Sequence, residues 1–151
     1  MDEKFRIVNG SIFDSPADIL VHQVNCKGVM GAGLAKQFRV RYPEMYAMYR
    51  FNCNTSKPED LLGKVLYYSA PDGKLIANIY AQNGFGSHGR HTDYEALKSC
   101  LSYVKETAEI NGFTVAVPYN LGCGLGGGDW NEVYRILCEV FEPDMLEIRK
   151  L

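Results

Sequence analysis

The chain has no surplus of positive charge: its 151 residues carry 16 Lys and Arg against 18 Asp and Glu, a formal net charge of −2. A protein that grips a nucleic-acid backbone without regard to sequence needs clustered Lys and Arg in excess, so that class is disfavoured. Any apolar run approaching membrane-spanning length is also missing, and the opening MDEKFRIVNG has neither the positive region nor the apolar core of a signal peptide. A cytoplasmic protein that makes no membrane contact is the expectation. The five cysteines, Cys26, Cys53, Cys100, Cys123 and Cys138, form an odd set without CxxC spacing, which indicates neither a disulfide framework nor a zinc knuckle. His88 and His91 lie three apart in GSHGRH, but no acidic or thiolate partner stands at ligand spacing, so no metal is expected. Repeats and low-complexity stretches are absent too, and a single domain over residues 1–151 is large enough to bury its own core. Nothing marks an obligate protein partner or a bound cofactor.

What the chain does have is two glycine-rich turns, GVMGAGLAKQF from Gly28 to Phe38 and NLGCGLGGGDWNEV from Asn120 to Val133. Each follows an apolar strand-like run and leads into a helix-like pattern. Glycines at such a junction let backbone reach a ligand closely, and the free N–H groups of a helix start attract anions. Two such turns suggest a diphosphate held between two loops.

Apolar alternation and short β-branched runs predict strands at Phe5 to Asn9, Ile19 to Val24, Val65 to Tyr68, Leu75 to Tyr80, Val115 to Val117 and Met145 to Ile148. Thr92 with Glu95 reads as a capping box. Tyr94, Leu97, Leu101, Val104 and Ala108 then follow on one face, and Gly112 ends that helix. Asp129 with Glu132 repeats the signal before Val133, Ile136, Leu137, Val140 and Phe141, with Pro143 as the stop. Shorter helices are predicted from about Leu34 to Arg41 and from Pro43 towards Phe51, and TSKPED near Thr55 reads as an exposed loop. The order β-β-α-α-β-β-α-β-α-β describes a three-layer α/β/α domain around a mixed sheet of about six strands.

The second turn matches G-x-G-x-x-G at Gly122, Gly124 and Gly127, which raises a dinucleotide-binding Rossmann fold. Its position argues against that. The fingerprint opens a Rossmann domain, whereas only one helix and one strand remain here, with no room for the ribose-binding acid about twenty residues on. A Walker loop fails as well, because no Lys-Ser or Lys-Thr closes either glycine run.

Nearly the whole chain resembles the macrodomains, which bind ADP-ribose. The resemblance is carried by NGSIFDSPADILVHQVNCKGVMGAGLAKQF, LIANIYAQNGFGSHGRHTDYEAL and VAVPYNLGCGLGGGDWNEV. The branch it is most similar to holds the terminal ADP-ribose protein glycohydrolase, the DNA ADP-ribosyl glycohydrolase antitoxins and the yeast-type ADP-ribose-1″-phosphate phosphatase. The resemblance implies that Asn25 contacts the distal ribose. It also implies that Gly31, Ala32, Gly33 and Leu34 form one phosphate loop, and that Asn120, Gly122, Cys123, Gly124, Leu125 and Gly126 form the other. His22 falls where phosphatase-like members carry a histidine. Three departures stand out. Gln82 and Asn83 occupy the place of the glycohydrolases' catalytic lysine, Gly126 that of an aspartate, and Ser11 with Ile12 replaces an aspartate that holds the adenine amino group in many members. Adenine is then left to Ser11, Ile12, backbone groups, Asp18 or apolar stacking.

Every candidate has a structural reading beside the functional one. His22 in ILVHQVN reads as a core histidine or a general base, and Asn25 as a turn cap or a ligand contact. Cys123 reads as a small packed side chain or a nucleophile. Asp129 reads as an N-cap or a second group near the distal ribose. Tyr80 and Phe85 are core or stacking surface, with Phe85, between two glycines, the better ligand contact. Arg90 and His91 are solvated or reach an anionic leaving group. The expected ligand is ADP-ribose or ADP-ribose-1″-phosphate, with ADP-ribosylated protein or nucleic acid as the larger partner. The expected function is hydrolysis at the distal ribose by a positioned water, with Asn25, His22 and Asp129 as the catalytic candidates. The alternative is a non-catalytic ADP-ribose reader.

Overall fold

The computed structural model describes residues 4–85 and 89–151. Strand β1 (Arg6–Asn9) runs into a 3-10 turn at Ile12–Asp14, then β2 (Ile19–Asn25), α1 (Gly33–Arg41), α2 (Pro43–Thr55) and α3 (Pro58–Leu61). β3 (Val65–Ser69), β4 (Leu75–Gln82), α4 (Tyr94–Asn111), β5 (Val115–Pro118), α5 (Trp130–Val140) and β6 (Leu146–Lys150) follow. The six strands form one sheet in the order β1-β6-β5-β2-β4-β3. All neighbours are parallel except the β3–β4 hairpin at one edge. This is the mixed three-layer domain read from the sequence.

A central strand has both faces covered, and every residue of β2 but Gln23 is buried. Its residues alternate between two cores. Ile19 and Val21 face α4 and α5 together with Leu97, Leu101, Val133 and Leu137, while Leu20 and Val24 face α1 and α2 with Phe38, Met45 and Tyr49. Truncating one of these fully buried aliphatic side chains to Ala costs about 2–5 kcal/mol.

Helix ends depart from the sequence reading in three places. The N-cap of α4 is Asp93, whose carboxylate accepts from the Ala96 N–H at 3.0 Å; Thr92 has its hydroxyl committed elsewhere, so the predicted Thr92–Glu95 box does not form. The TSKPED segment is not a loop throughout, since α2 continues to Thr55 and Pro58 starts the single turn of α3. Gly112 closes α4 in the left-handed conformation at φ 68° and Asp129 caps α5, both as predicted, but the Asp129–Glu132 box does not close, since the Asp129 N–H donates to the Tyr94 hydroxyl and Glu132 pairs with Arg135. Among the described residues no helix is long and apolar enough to cross a membrane.

Candidate functional site

Three strands end at the same place. Asn25, Gln82 and Pro118 are the last residues of β2, β4 and β5, and the chain leaves β2 and β5 in opposite directions along the sheet. Open α/β sheets leave a crevice at such a switch point. A cleft of about 480 Å³ lies there, walled by the Gly31–Ala35 segment on one side and Gly122–Gly126 on the other, with Gln23, Gln82 and Phe85 between them. The β2–β4 register shifts between Val24, opposite Tyr80, and Asn25, opposite Gln82. That irregularity re-aims the strand end at the cleft.

The first wall is shaped by Asn25. Its Oδ1 accepts from the N–H of Lys27 at 3.0 Å and of Val29 at 3.3 Å, and its amide donates to the Val29 carbonyl at 2.7 Å. The Tyr49 hydroxyl, buried beneath, donates to the Asn25 carbonyl and Oδ1 at 2.7 and 2.8 Å. Asn25 therefore holds the turn that presents the glycine loop. Helix α1 then starts with Gly33 at φ 60°, a conformation that suits glycine. Its N-cap Ala32 offers no side-chain acceptor, so the amides of Gly33, Leu34 and Ala35 are left for whatever enters the cleft.

The second wall is pinned from behind by Thr92. Its hydroxyl donates to the Gly122 carbonyl at 2.7 Å and accepts from Gln23 Nε2 at 2.8 Å, while its N–H donates to the Gly126 carbonyl at 2.9 Å. Gln23 Nε2 also donates to Gln82 Oε1 at 2.7 Å, and Gln82 donates to the Gly84 carbonyl at 2.8 Å. One polar chain thus links the second glycine loop, both central strands and the segment carrying Phe85. A Cβ at Gly126 would stand 2.5 Å from the Thr92 hydroxyl oxygen and 2.7 Å from the Gly122 carbonyl oxygen. The position is glycine for that reason, and the aspartate of the resemblance could not occupy this backbone.

The titratable groups near the cleft are held neutral. His22 is 1% exposed and stacks on Phe38 at 4.0 Å between ring centroids. Its Nε2 lies 2.5 Å from Asn78 Oδ1, whose amide end already donates to Leu66, so Nε2 carries the proton and Nδ1 has no partner. Burial lowers its pKa to about 4, against the opposing pull of the Asn78 bond. Burial, reinforced by Asp129, pushes the Cys123 thiol up to about 11, which leaves it protonated and a poor nucleophile at neutral pH. Lys74 donates to the carbonyls of Ser15 and Ala17, at the opposite end of the sheet.

The sequence candidates divide. His22, Asn25, Gly31, Ala32, Gly33, Leu34, Phe85, Gly122, Gly124, Leu125 and Gly126 all line the cleft. Ser11, Ile12 and Asn120 line a second cleft of about 290 Å³, joined to the first through Leu34 and Pro118. Cys123 and Asp129 line neither; Cys123 packs against the α4–α5 core and Asp129 accepts from the Asn131 N–H at 2.9 Å. Tyr80 is core at 1% exposure, and Asp18 is taken by the Thr114 N–H at 2.9 Å. Arg90 lies over the Tyr94 ring, 4.5 Å from its centroid. His88 lies outside the described residues, and among the described residues no group of three His, Cys, Asp or Glu is placed to hold a metal. Sequence reasoning missed Gln23, Gln82 and Arg149 as wall residues. The position of each at or near a strand end was the available signal.

Comparisons with known proteins show the family. The Macro domain family model matches residues 21–137. This chain is a macrodomain. It is 34% identical over 142 residues to a DNA ADP-ribosyl glycohydrolase of Mycobacterium tuberculosis, covering 91% of this chain and 39% of that protein. It is likewise 34% identical over 146 residues to an ADP-ribose 1″-phosphate phosphatase of Chaetomium globosum, covering 85% of this chain and 79% of the other. Among solved structures, Thermosipho africanus DarTG in complex with ADP-ribose superposes with a TM-score of 0.72 at 25% identity, covering 97% of this macrodomain and 42% of that chain. The macrodomain spans 39% of the length of the glycohydrolases that it matches.

Proposed function

We propose that this macrodomain binds ADP-ribose across the two joined clefts and hydrolyses a bond at the distal ribose. The observation that carries the reading is the pairing of an uncapped helix start at Gly33–Ala35 with the Gly122–Gly126 loop across one cleft. This is a backbone cradle for a diphosphate that needs no lysine or arginine. The relatives' names and the ADP-ribose complex of the structural neighbour support it. With the diphosphate between the loops, the base falls in the cleft beyond Leu34 and Pro118. The distal ribose then falls at the opposite end, beside Asn25, Val29, Phe85 and Leu125.

That outer end favours one of the two linkages. Val29, Phe85 and Leu125 are exposed apolar residues on the wall, and no Lys or Arg lines the cleft among the described residues. A departing phosphate would want a cation there. An uncharged aglycone on an ADP-ribosylated macromolecule suits the apolar rim, so cleavage of an ADP-ribosyl bond is favoured over 1″-phosphate removal. Water adds to C1″ while the bond from C1″ to the leaving group breaks, and a proton passes to the leaving group. The cleft contributes orientation through Asn25 and the bound diphosphate rather than a strong base. His22, neutral and stacked on Phe38, acts as wall. The same lack of a charged catalytic group favours a second reading, a non-catalytic reader of ADP-ribose. The unpaired thiols of the five cysteines suit the reducing cytosol in which this function would operate.

Calorimetric titration tests the binding, with ADP-ribose expected at micromolar affinity, about −8 kcal/mol, and NAD much weaker. Equal affinity for the two would overturn it. Release of ADP-ribose from ADP-ribosylated DNA and protein, run beside phosphate release from ADP-ribose-1″-phosphate, separates the two linkages. Intact binding without turnover on any of them establishes the reader.

A further inference from the structure

The second cleft is rich in hydrogen-bond donors and poor in acceptors. Its lining includes Ser11, Gln37, Tyr119, Asn120, Arg149 and Lys150, with the exposed Leu151 at its edge and no side-chain carboxylate among the described residues. Arg149 reaches it because β6 pairs with β5 so that Arg149 lies opposite Pro118. Only the Arg149 Nε–H is used, donating to Glu147 at 2.7 Å, and its Nη groups have no acceptor among the described residues. Nη1 lies 3.4 Å from the point where a Cβ on Gly10 would stand, so the guanidinium forms part of the cleft floor. The Ser11 oxygen accepts from the Phe13 N–H at 3.1 Å, which leaves its proton to donate outward. Four of the lining residues already have their backbone carbonyls engaged. Ser11 and Ile12 accept from Asp14 and Ser15 at 3.1 Å, Arg149 from Tyr119 at 2.8 Å and Lys150 from Gly10 at 2.9 Å.

A purine with an exocyclic amine at position 6 presents donor hydrogens that need an acceptor. A purine with a carbonyl there presents an acceptor that needs a donor. A site distinguishes such analogues strongly only when it has a buried partner that the wrong one leaves unpaired. Among the described residues this cleft has no carboxylate side chain committed to accepting, has free guanidinium donors, and has in Gln37 and Asn120 amides that present either end. We infer that this macrodomain accepts 6-oxopurine diphosphate riboses as readily as the adenine compound, which makes its ligand class purine-diphosphate riboses rather than ADP-ribose alone. The inference rests on the diphosphate-ribose reading above.

The test is a pair of calorimetric titrations of the full chain with ADP-ribose and with inosine 5′-diphosphate ribose. Affinities within about fivefold of each other, or tighter binding of the inosine compound, are expected. A preference for ADP-ribose of more than about fivefold overturns the inference. Binding of neither overturns the diphosphate-ribose reading itself, and this inference with it. Ser11→Asp supplies the missing acceptor at a position where aspartate also caps the 3-10 turn. It should shift the ratio towards ADP-ribose by about tenfold or more. An unchanged ratio in this variant, with its melting temperature intact, means that the base does not lie at Ser11 and overturns the assignment.

Discussion

Thr92 donates its hydroxyl to the Gly122 carbonyl at 2.7 Å across thirty residues of sequence, and through Gln23 the same oxygen is tied to β2. Because Thr92 is 2% exposed, losing the hydroxyl takes a partner from two buried polar groups, the Gly122 carbonyl and the Gln23 amide. Thr92→Val is therefore expected to destabilise the fold by about 1–3 kcal/mol and to weaken ADP-ribose binding by loosening the second loop. Thr92→Ser should recover most of both. Denaturant melts and calorimetry on the two variants check this, and normal binding by the Val variant would remove Thr92 from the loop's support.

Two glycines of the second loop should respond differently. At Gly124 a Cβ meets nothing within 4 Å, whereas at Gly126 it meets the Thr92 oxygen at 2.5 Å. Gly124→Glu should leave the melting temperature near wild type and abolish ADP-ribose binding, since it adds a negative charge where a diphosphate lies. Gly126→Ala should lower the melting temperature, because rigid backbone and the Thr92 strut must move. A destabilised Gly124→Glu protein beside a stable Gly126→Ala protein would reverse the account.

Asn25 holds the first loop with three of its own hydrogen bonds. For an active enzyme, Asn25→Ala should lower turnover by at least ~100-fold by misplacing the loop, the distal ribose and the attacking water. Single-turnover kinetics separate this from a loss in substrate affinity. A change confined to KM would assign Asn25 to ground-state binding only.

His22 makes stability depend on pH in a defined direction. Its folded pKa of about 4 lies below the ordinary 6.5, so the unfolded chain binds the proton first as pH falls. The stabilisation it represents is complete above about pH 6.5, is lost between 6.5 and 4, and amounts to about 3 kcal/mol. The difference in unfolding free energy between wild type and His22→Gln should shrink by about that amount from pH 7 to pH 4. A pH-independent difference would mean that His22 is not desolvated in the folded protein. Turnover should show no His22-linked inflection between pH 6 and 8.

The fold class and most of the cleft were written in local pattern. The apolar run in ILVHQVN predicts a strand, Asp129 and Gly112 predict helix ends, and the two glycine runs predict where backbone approaches a ligand. All of these are properties of a few consecutive residues, governed by φ, ψ and hydrogen-bond reach along the chain. What only the tertiary structure decided involves partners far apart in sequence. The hydroxyl of Thr92 looks like a helix cap until Gln23, 69 residues away, claims it and passes the cap to Asp93. Gln23 reads as an unremarkable strand residue, and Gln82 only as the place where a lysine is missing, until parallel pairing sets them side by side at 2.7 Å. Arg149 has no local signal for a ligand at all. It belongs to the second cleft because β6 lies between β1 and β5, and a strand's place in a sheet is fixed by pairing and core packing rather than by its own residues.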